Sequence, residues 1–245
     1  MSKGQINLDL DDAGTFVSAL HHLLDQSGIW SRLKTKNSAE ILAELAHASD
    51  YVSIPFVRDL RAKTCNLVRS EYVTVSAYHA CRPANYNHYT KYGVLRTNRQ
   101  LLLRQAKEAF GQMPKLEEIF NPICSKYLKW YNGTVGLFLT AHKQTSWHKT
   151  SCFLGKMEDA LGNEGKLRFQ NYLSRSTPTM IQCCLPVDWL DSKMRDPSLE
   201  HYASAVLQKI VHFKTSPTNT SFDFGALGLK SDIPSEMIVD FIAME

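Results

Sequence analysis

The sequence predicts an α+β fold, and three observations carry that expectation. Helical periodicity dominates the first third of the chain. Short apolar strands come later, separated by helices and long loops. No Gly-x-Gly-x-x-Gly follows a strand to open a doubly wound sheet.

In chain order, Asp11 or Asp12 is placed to cap a helix carrying Phe16, Leu20, Leu23 and Leu24, closed near Ser27-Gly28. Asn37 with Glu40 suggests a capping box for a second helix burying Ile41, Leu42 and Leu45. Residues 51–71 are mixed, with Arg58, Arg61, Lys63 and Arg69. Residues 72–81 alternate: Thr74, Ser76 and Tyr78 fall on one side of a strand, Val73, Val75 and Ala77 on the other. Asn98 is placed to cap a helix with Leu102, Ala106 and Phe110, closed by Gly111. Another helix around Leu116–Ile123 is expected to be interrupted at Pro122. Asn132-Gly133 turns the chain into an apolar strand at 134–140. Residues 153–175 read as helix with a break at Gly162–Gly165, and 179–185 as a buried strand ended by Pro186. Asp196-Pro197-Ser198 opens an amphipathic helix, 214–224 form a loop, and 233–242 close the chain as a strand.

The 245 residues are 44% hydrophobic and 21% charged, an ordinary globular balance. A net charge of +4 tolerates a polyanionic partner without requiring one. The six cysteines form no Cys-x-x-Cys pair, and no His spacing completes a zinc site, so no metal is expected. Cys183-Cys184 read as buried thiols. No apolar leader and no segment of ~20 apolar residues is present, so the expectation is a reduced, cytoplasmic protein without a membrane partner. The sequons at Asn132 and Asn219 are then chance matches. His21, His22 and His47 have no acidic or Cys partner at ligand spacing and read as surface or core histidines.

The stretch Tyr78-His79-Ala80-Cys81-Arg82-Pro83 holds the chemistry. Pro83 must stop the strand, leaving His79 and Arg82 at its end. An imidazole there can bond a ribose hydroxyl, a guanidinium can fork onto phosphate, and Tyr86 or Tyr89 can stack on a heterocycle. The same residues also suit a strand simply reaching solvent. No Gly-Lys-Ser/Thr phosphate loop, His-Glu-x-x-His or Gly-x-Ser-x-Gly occurs, which disfavours phosphate-loop nucleotidases, zincins and typical serine hydrolases.

Tyr78-His79 with Arg82, then Tyr89-x-x-x-Gly93-Val94-Leu95 and Asn98, resembles the first motif of the ADP-ribosyltransferase superfamily. Residues 155–161 and 177–186 are similar to a pattern in uncharacterised bacterial relatives, and Ile233-Pro234-Ser235-Glu236-Met237-Ile238 to an Ile-Pro-x-x-x-Ile ending common in these folds. The resemblance covers roughly residues 72–242. It implies a split pair of small β-sheets at 71–245, preceded by a helical amino-terminal extension at 1–70. It also implies an NAD-dependent transferase, with NAD as substrate in a cleft between the sheets. Tyr78, His79, Arg82, Tyr86, Tyr89 and Asn98 would then bind NAD, with His79 also serving catalysis. A carboxylate would stabilise the oxocarbenium-like ribose and hold its hydroxyl or the nucleophile.

The relatives place that carboxylate at the position of Met157 here. Glu158, one residue and ~100° of helix further on, is the candidate, with Glu200 and Glu236 in reserve. Lys91, Arg96 and Arg99, in a basic stretch with Arg104 and Lys107, suit a nucleic-acid target or a solvated helix face. By family analogy the setting is a toxin of a toxin–antitoxin or phage-defence system, with RNA or DNA favoured over protein as target and an antitoxin as partner. Two alternatives stand beside it: an RNA 2′-phosphotransferase-like enzyme, and a non-catalytic nucleotide- or RNA-binding module.

Overall fold

The structure, a computed structural model, describes residues 6–34, 38–46, 54–141, 152–195, 199–215 and 226–244. Among these, ten α-helices and six strands make an α+β chain. The strands are β1 (Asn7–Leu8), β2 (Thr74–Cys81), β3 (Val135–Phe138), β4 (Thr179–Pro186), β5 (Ala226–Leu229) and β6 (Ile238–Ala243). They form one sheet, ordered β5-β3-β2-β4-β6, with β1 beside β2. That corrects the expectation of a split pair of small sheets. β2 lies between β3 and β4, and Val75, Ser76, Ala77 and Tyr78 are all at most 2% exposed, so the strand is covered on both faces. β1 pairs parallel with β2 through Asn7–Thr74 and Leu8–Val75. β6 runs antiparallel to β4, with a register shift at Gln182/Cys183.

The chain divides into two compact units. The first takes residues 1–77, 138–142 and 184–227. Its described helices are α1 (Ser18–Gln26), α2 (Ile29–Arg32), α3 (Ser38–Ala46), α4 (Pro55–Glu71), α9 (Trp189–Ser192) and α10 (Leu199–Thr215). The amino-terminal helices therefore do not stand alone, because α4 and α3 both pack on α10. Val57, Leu60, Thr64, Cys65 and Val68 line the buried stripe of α4 at helical spacing. Pro55 opens that helix at a position where no amide partner is needed. Buried Lys209 pairs with half-buried Asp11, Nζ to Oδ1 at 3.4 Å, and ties α10 to the chain after β1.

The second unit takes residues 78–137, 143–183 and 228–245. Its described helices are α5 (Asn87–Tyr92), α6 (Arg99–Phe110), α7 (Leu116–Tyr131) and α8 (Cys152–Arg175). α6, α7 and α8 pack pairwise. Their shared core holds Leu102, Phe110, Phe120, Phe153, Met157 and Phe169. Asn98 caps α6, its Oδ1 accepting from Leu101 N at 2.9 Å. α7 continues through Pro122 rather than breaking there. α8 carries its break at Gly162, where φ is 68° and ψ −150°.

Two of the sequence motifs meet in this unit. Gly93 N donates to Tyr89 O at 2.8 Å, closing α5, and Val94 and Ile233 exchange backbone hydrogen bonds at 2.9 Å. Gly93 has φ 73°, and a Cβ there would stand 1.9 Å from the Ile233 carbonyl oxygen. Only glycine allows both the dihedral and this approach. The Tyr-x-x-x-Gly and Ile-Pro segments thus lock together and fix the helix that carries Tyr89.

Candidate functional site

Within the second unit, the end of β2 opens onto a cavity of about 440 Å³. That lies in the usual range for a small-molecule site. Its buried wall is apolar and aromatic: Leu102, Phe153, Leu154 and Phe169, with Tyr127 and Tyr172 beside them. The exposed members are polar: Asn85, Arg104 and Glu108, with half-buried His88 and Gln105.

His79 and Tyr89 both line this cavity, their ring centroids 6.4 Å apart. His79 Nδ1 lies 2.9 Å from Gly136 O on β3. A carbonyl only accepts, so Nδ1 carries the hydrogen and Nε2 keeps a lone pair in the neutral ring. Desolvation lowers the His79 pKa below its ordinary value, against the pull of that carbonyl, and so favours the neutral ring. Burial pushes up both the Tyr89 hydroxyl and the Cys81 thiol, the thiol to about 12, and the neighbouring Cys81 adds to the rise at Tyr89. Cys81 is therefore a thiol at neutral pH, which argues against a cysteine nucleophile. The Tyr172 hydroxyl, pushed up to about 12 by burial, donates to the Arg82 carbonyl.

Arg82 lines the cavity, but its guanidinium holds the end of α8. Nε donates to Ser176 Oγ at 3.1 Å and an Nη to Leu173 O at 3.0 Å. A cation bonding the last carbonyls of a helix also complements its dipole.

The other sequence-selected residues lie elsewhere in the unit. Tyr78 is buried in β2, with Gln182 Nε2 3.5 Å from its hydroxyl. Tyr86 packs on Phe241, centroids 4.5 Å apart, and its hydroxyl lies 3.2 Å from Thr179 Oγ1. Asn98 is the α6 cap. Glu158 is half-buried on α8 and is not among the lining residues; its neighbour Met157 is fully buried in the core. Of the three basic residues, Arg96 pairs with Asp232 at 3.2 Å, and Arg99 donates to Asn121 at 2.7 Å. Lys91 stands 4.9 Å from the Tyr92 ring centre.

Glu108, His88 and Gln105 do not stand out as site residues in the sequence, where Tyr172 reads only as helix core. A signal was present. Arg104, Gln105 and Glu108 make a polar stripe on α6 at helical spacing, beside the apolar stripe Leu102, Ala106 and Ala109. Glu108 lines the same cavity as Tyr89 and Tyr172, and its charge adds to the rise of both hydroxyls after burial.

Among the described residues, no group of three or more His, Cys, Asp or Glu is arranged to hold a metal. No described helix is long and apolar enough to cross a membrane. No protein-family model, curated protein or solved structure matches the chain.

Proposed function

We propose that the cavity at the end of β2 takes a nucleotide, and that the chain is an NAD-dependent ADP-ribosyltransferase acting on a macromolecule, RNA or DNA before protein. The observation that carries this reading is the convergence of His79 and Tyr89 on one cavity with a carboxylate, Glu108. His79 Nε2 accepts from a ribose hydroxyl, and the Tyr89 ring offers a face to a flat heterocycle. Aromatic walls suit the heterocycle, and the polar residues suit ribose and phosphate.

In this mechanism nicotinamide leaves as the C–N glycosidic bond breaks, taking the bonding electron pair. The positive charge left on the ribose is stabilised by a carboxylate, and the acceptor's nucleophile forms the new bond at the same carbon. We assign the carboxylate to Glu108 rather than Glu158, because Glu108 lines the cavity. The same group holds a ribose hydroxyl and takes the acceptor's proton. Arg82 positions α8 in this account and does not bind pyrophosphate.

A toxin neutralised by an antitoxin is the biological setting we propose, and growth arrest on expression is its expected sign. A second reading is a nucleotide-binding module without turnover. Met157, fully buried where the resembled family carries a carboxylate, favours it.

Incubation with labelled NAD and, separately, cellular RNA, DNA and protein tests the enzyme. Transfer of label to one class, abolished by His79→Ala and Glu108→Gln and retained by Glu158→Ala, is expected. Nucleotide binding with no transfer to any class would move the conclusion to the binding module.

A further inference from the structure

The guanidinium of Arg104 faces the ring of His88, with its two terminal nitrogens 3.2 Å and 3.0 Å from the two ring nitrogens. That places it across the imidazole. Burial, and then the charge of Arg104 itself, lower the His88 pKa, so the ring is neutral at neutral pH. A neutral imidazole has one lone pair, so at most one of these contacts is a true hydrogen bond. Glu108 lies one turn along α6, beyond ion-pair distance of Arg104. The other arginine lining the cavity, Arg82, is engaged by Ser176 and Leu173. Among the described residues, Arg104 is thus the exposed cation lining the polar side of the cavity, and the ring that holds it is neutral. Asn85 stands exposed in the same lining, its Oδ1 accepting from Asn87 N at 3.0 Å, and its side chain also carries an NH2 donor.

We infer that Arg104, with Asn85, is the phosphate-binding subsite of this cavity, so that a nucleotide enters heterocycle first and leaves its phosphate at the exposed end. The inference rests on the nucleotide reading given above. The spacing on α6 supports it. One helical turn, ~5.4 Å, separates Arg104 from Glu108. That is the order of the separation between the 5′-phosphate and the ribose diol within one nucleotide. Arg104 then forks onto phosphate while Glu108 accepts from ribose hydroxyls. His88 parks the guanidinium when no anion is bound.

Calorimetric titration of the full chain with adenosine, AMP, NAD and inorganic pyrophosphate tests this, using wild type, Arg104→Gln and His79→Ala. Expected is ~10- to 100-fold tighter binding of AMP than of adenosine, the scale of a charge-assisted pair. Arg104→Gln should remove that preference and leave adenosine binding intact. His79→Ala should weaken both ligands alike. If adenosine and AMP bind equally, or Arg104→Gln keeps the preference, the subsite is overturned and the nucleotide reading stands. If no nucleoside or nucleotide binds, yet pyrophosphate does and Arg104→Gln abolishes it, the phosphate subsite stands and the nucleotide reading fails. If neither class of ligand binds, both fail. Exposed Arg104 tolerates substitution without unfolding, and an unchanged melting temperature verifies that.

Discussion

At the residue scale, Gly93 is the position where sequence and geometry agree most sharply. Its φ of 73°, and the 1.9 Å that would separate a Cβ from Ile233 O, leave no room for a side chain. Gly93→Ala is expected to destabilise by more than ~3 kcal/mol, because neighbouring backbone must move. A fall of several degrees in melting temperature checks this. His79 gives a second prediction. Its folded pKa lies below its ordinary value of 6.5, so the unfolded chain binds the proton more readily. The stability associated with the neutral ring is complete above about 6.5 and is lost as pH falls through that value toward the lower folded one. His88 and His212 are shifted the same way and add to the slope. Urea unfolding of His79→Asn against wild type, between pH 7.5 and 5, should show a shallower loss on acidification in the variant.

At the scale of elements, Arg82 and Gly162 control α8. Removing the Arg82 guanidinium leaves Leu173 O and Ser176 Oγ without their donor. Arg82→Met is expected to lower stability by ~1–3 kcal/mol in urea unfolding. Gly162 breaks the helix at a dihedral pair that side chains avoid, with open space where a Cβ would stand. Gly162→Ala should therefore destabilise by ~1–2 kcal/mol through backbone strain alone.

These elements also show what the sequence made legible. The α6 cap at Asn98, its stop at Gly111, the break in α8 and the strand β4 follow from local chemistry that acts within a few residues. Helix α4 was obscured because Arg58, Arg61, Lys63 and Arg69 interrupt a stripe whose apolar members still recur at helical spacing. α1 begins at Ser18 rather than near Asp12, because Asp12 caps a 3₁₀ turn over Ala13–Thr15 instead. Pro122 does not end α7, since packing of Phe120 and Cys124 outweighs one lost amide bond. Asp196–Ser198 and most of the 214–224 loop lie outside the described residues. Cys183 is buried as expected, while Cys184 is only half-buried, its thiol within 3.3 Å of Asn7 Oδ1.

At the scale of the whole molecule, the site was only partly readable. His79 and Tyr89 were legible because strand-end position and the Tyr-x-x-x-Gly spacing are local signals. Arg104 and Glu108 reach the same cavity from α6: helical spacing puts them on one polar stripe, but which cavity that stripe faces is set by tertiary packing. Arg82 shows the converse: its residue type suits phosphate, but proximity to the end of α8 gives its guanidinium other partners. The basic residues Arg96 and Arg99 likewise find Asp232 and Asn121 on the surface. A nucleic-acid target would therefore show a shallow salt dependence, with few phosphates neutralised.

We propose above that the cavity at the end of β2 binds NAD through His79. The most direct measurement is the melting temperature of wild type and His79→Ala with and without saturating NAD. A ligand that binds only the native state at 100 times its Kd adds ~2.7 kcal/mol, several degrees for a chain of this size. Wild type is expected to show that rise, and His79→Ala little or none. No rise in wild type, or an equal rise in the variant, would contradict it.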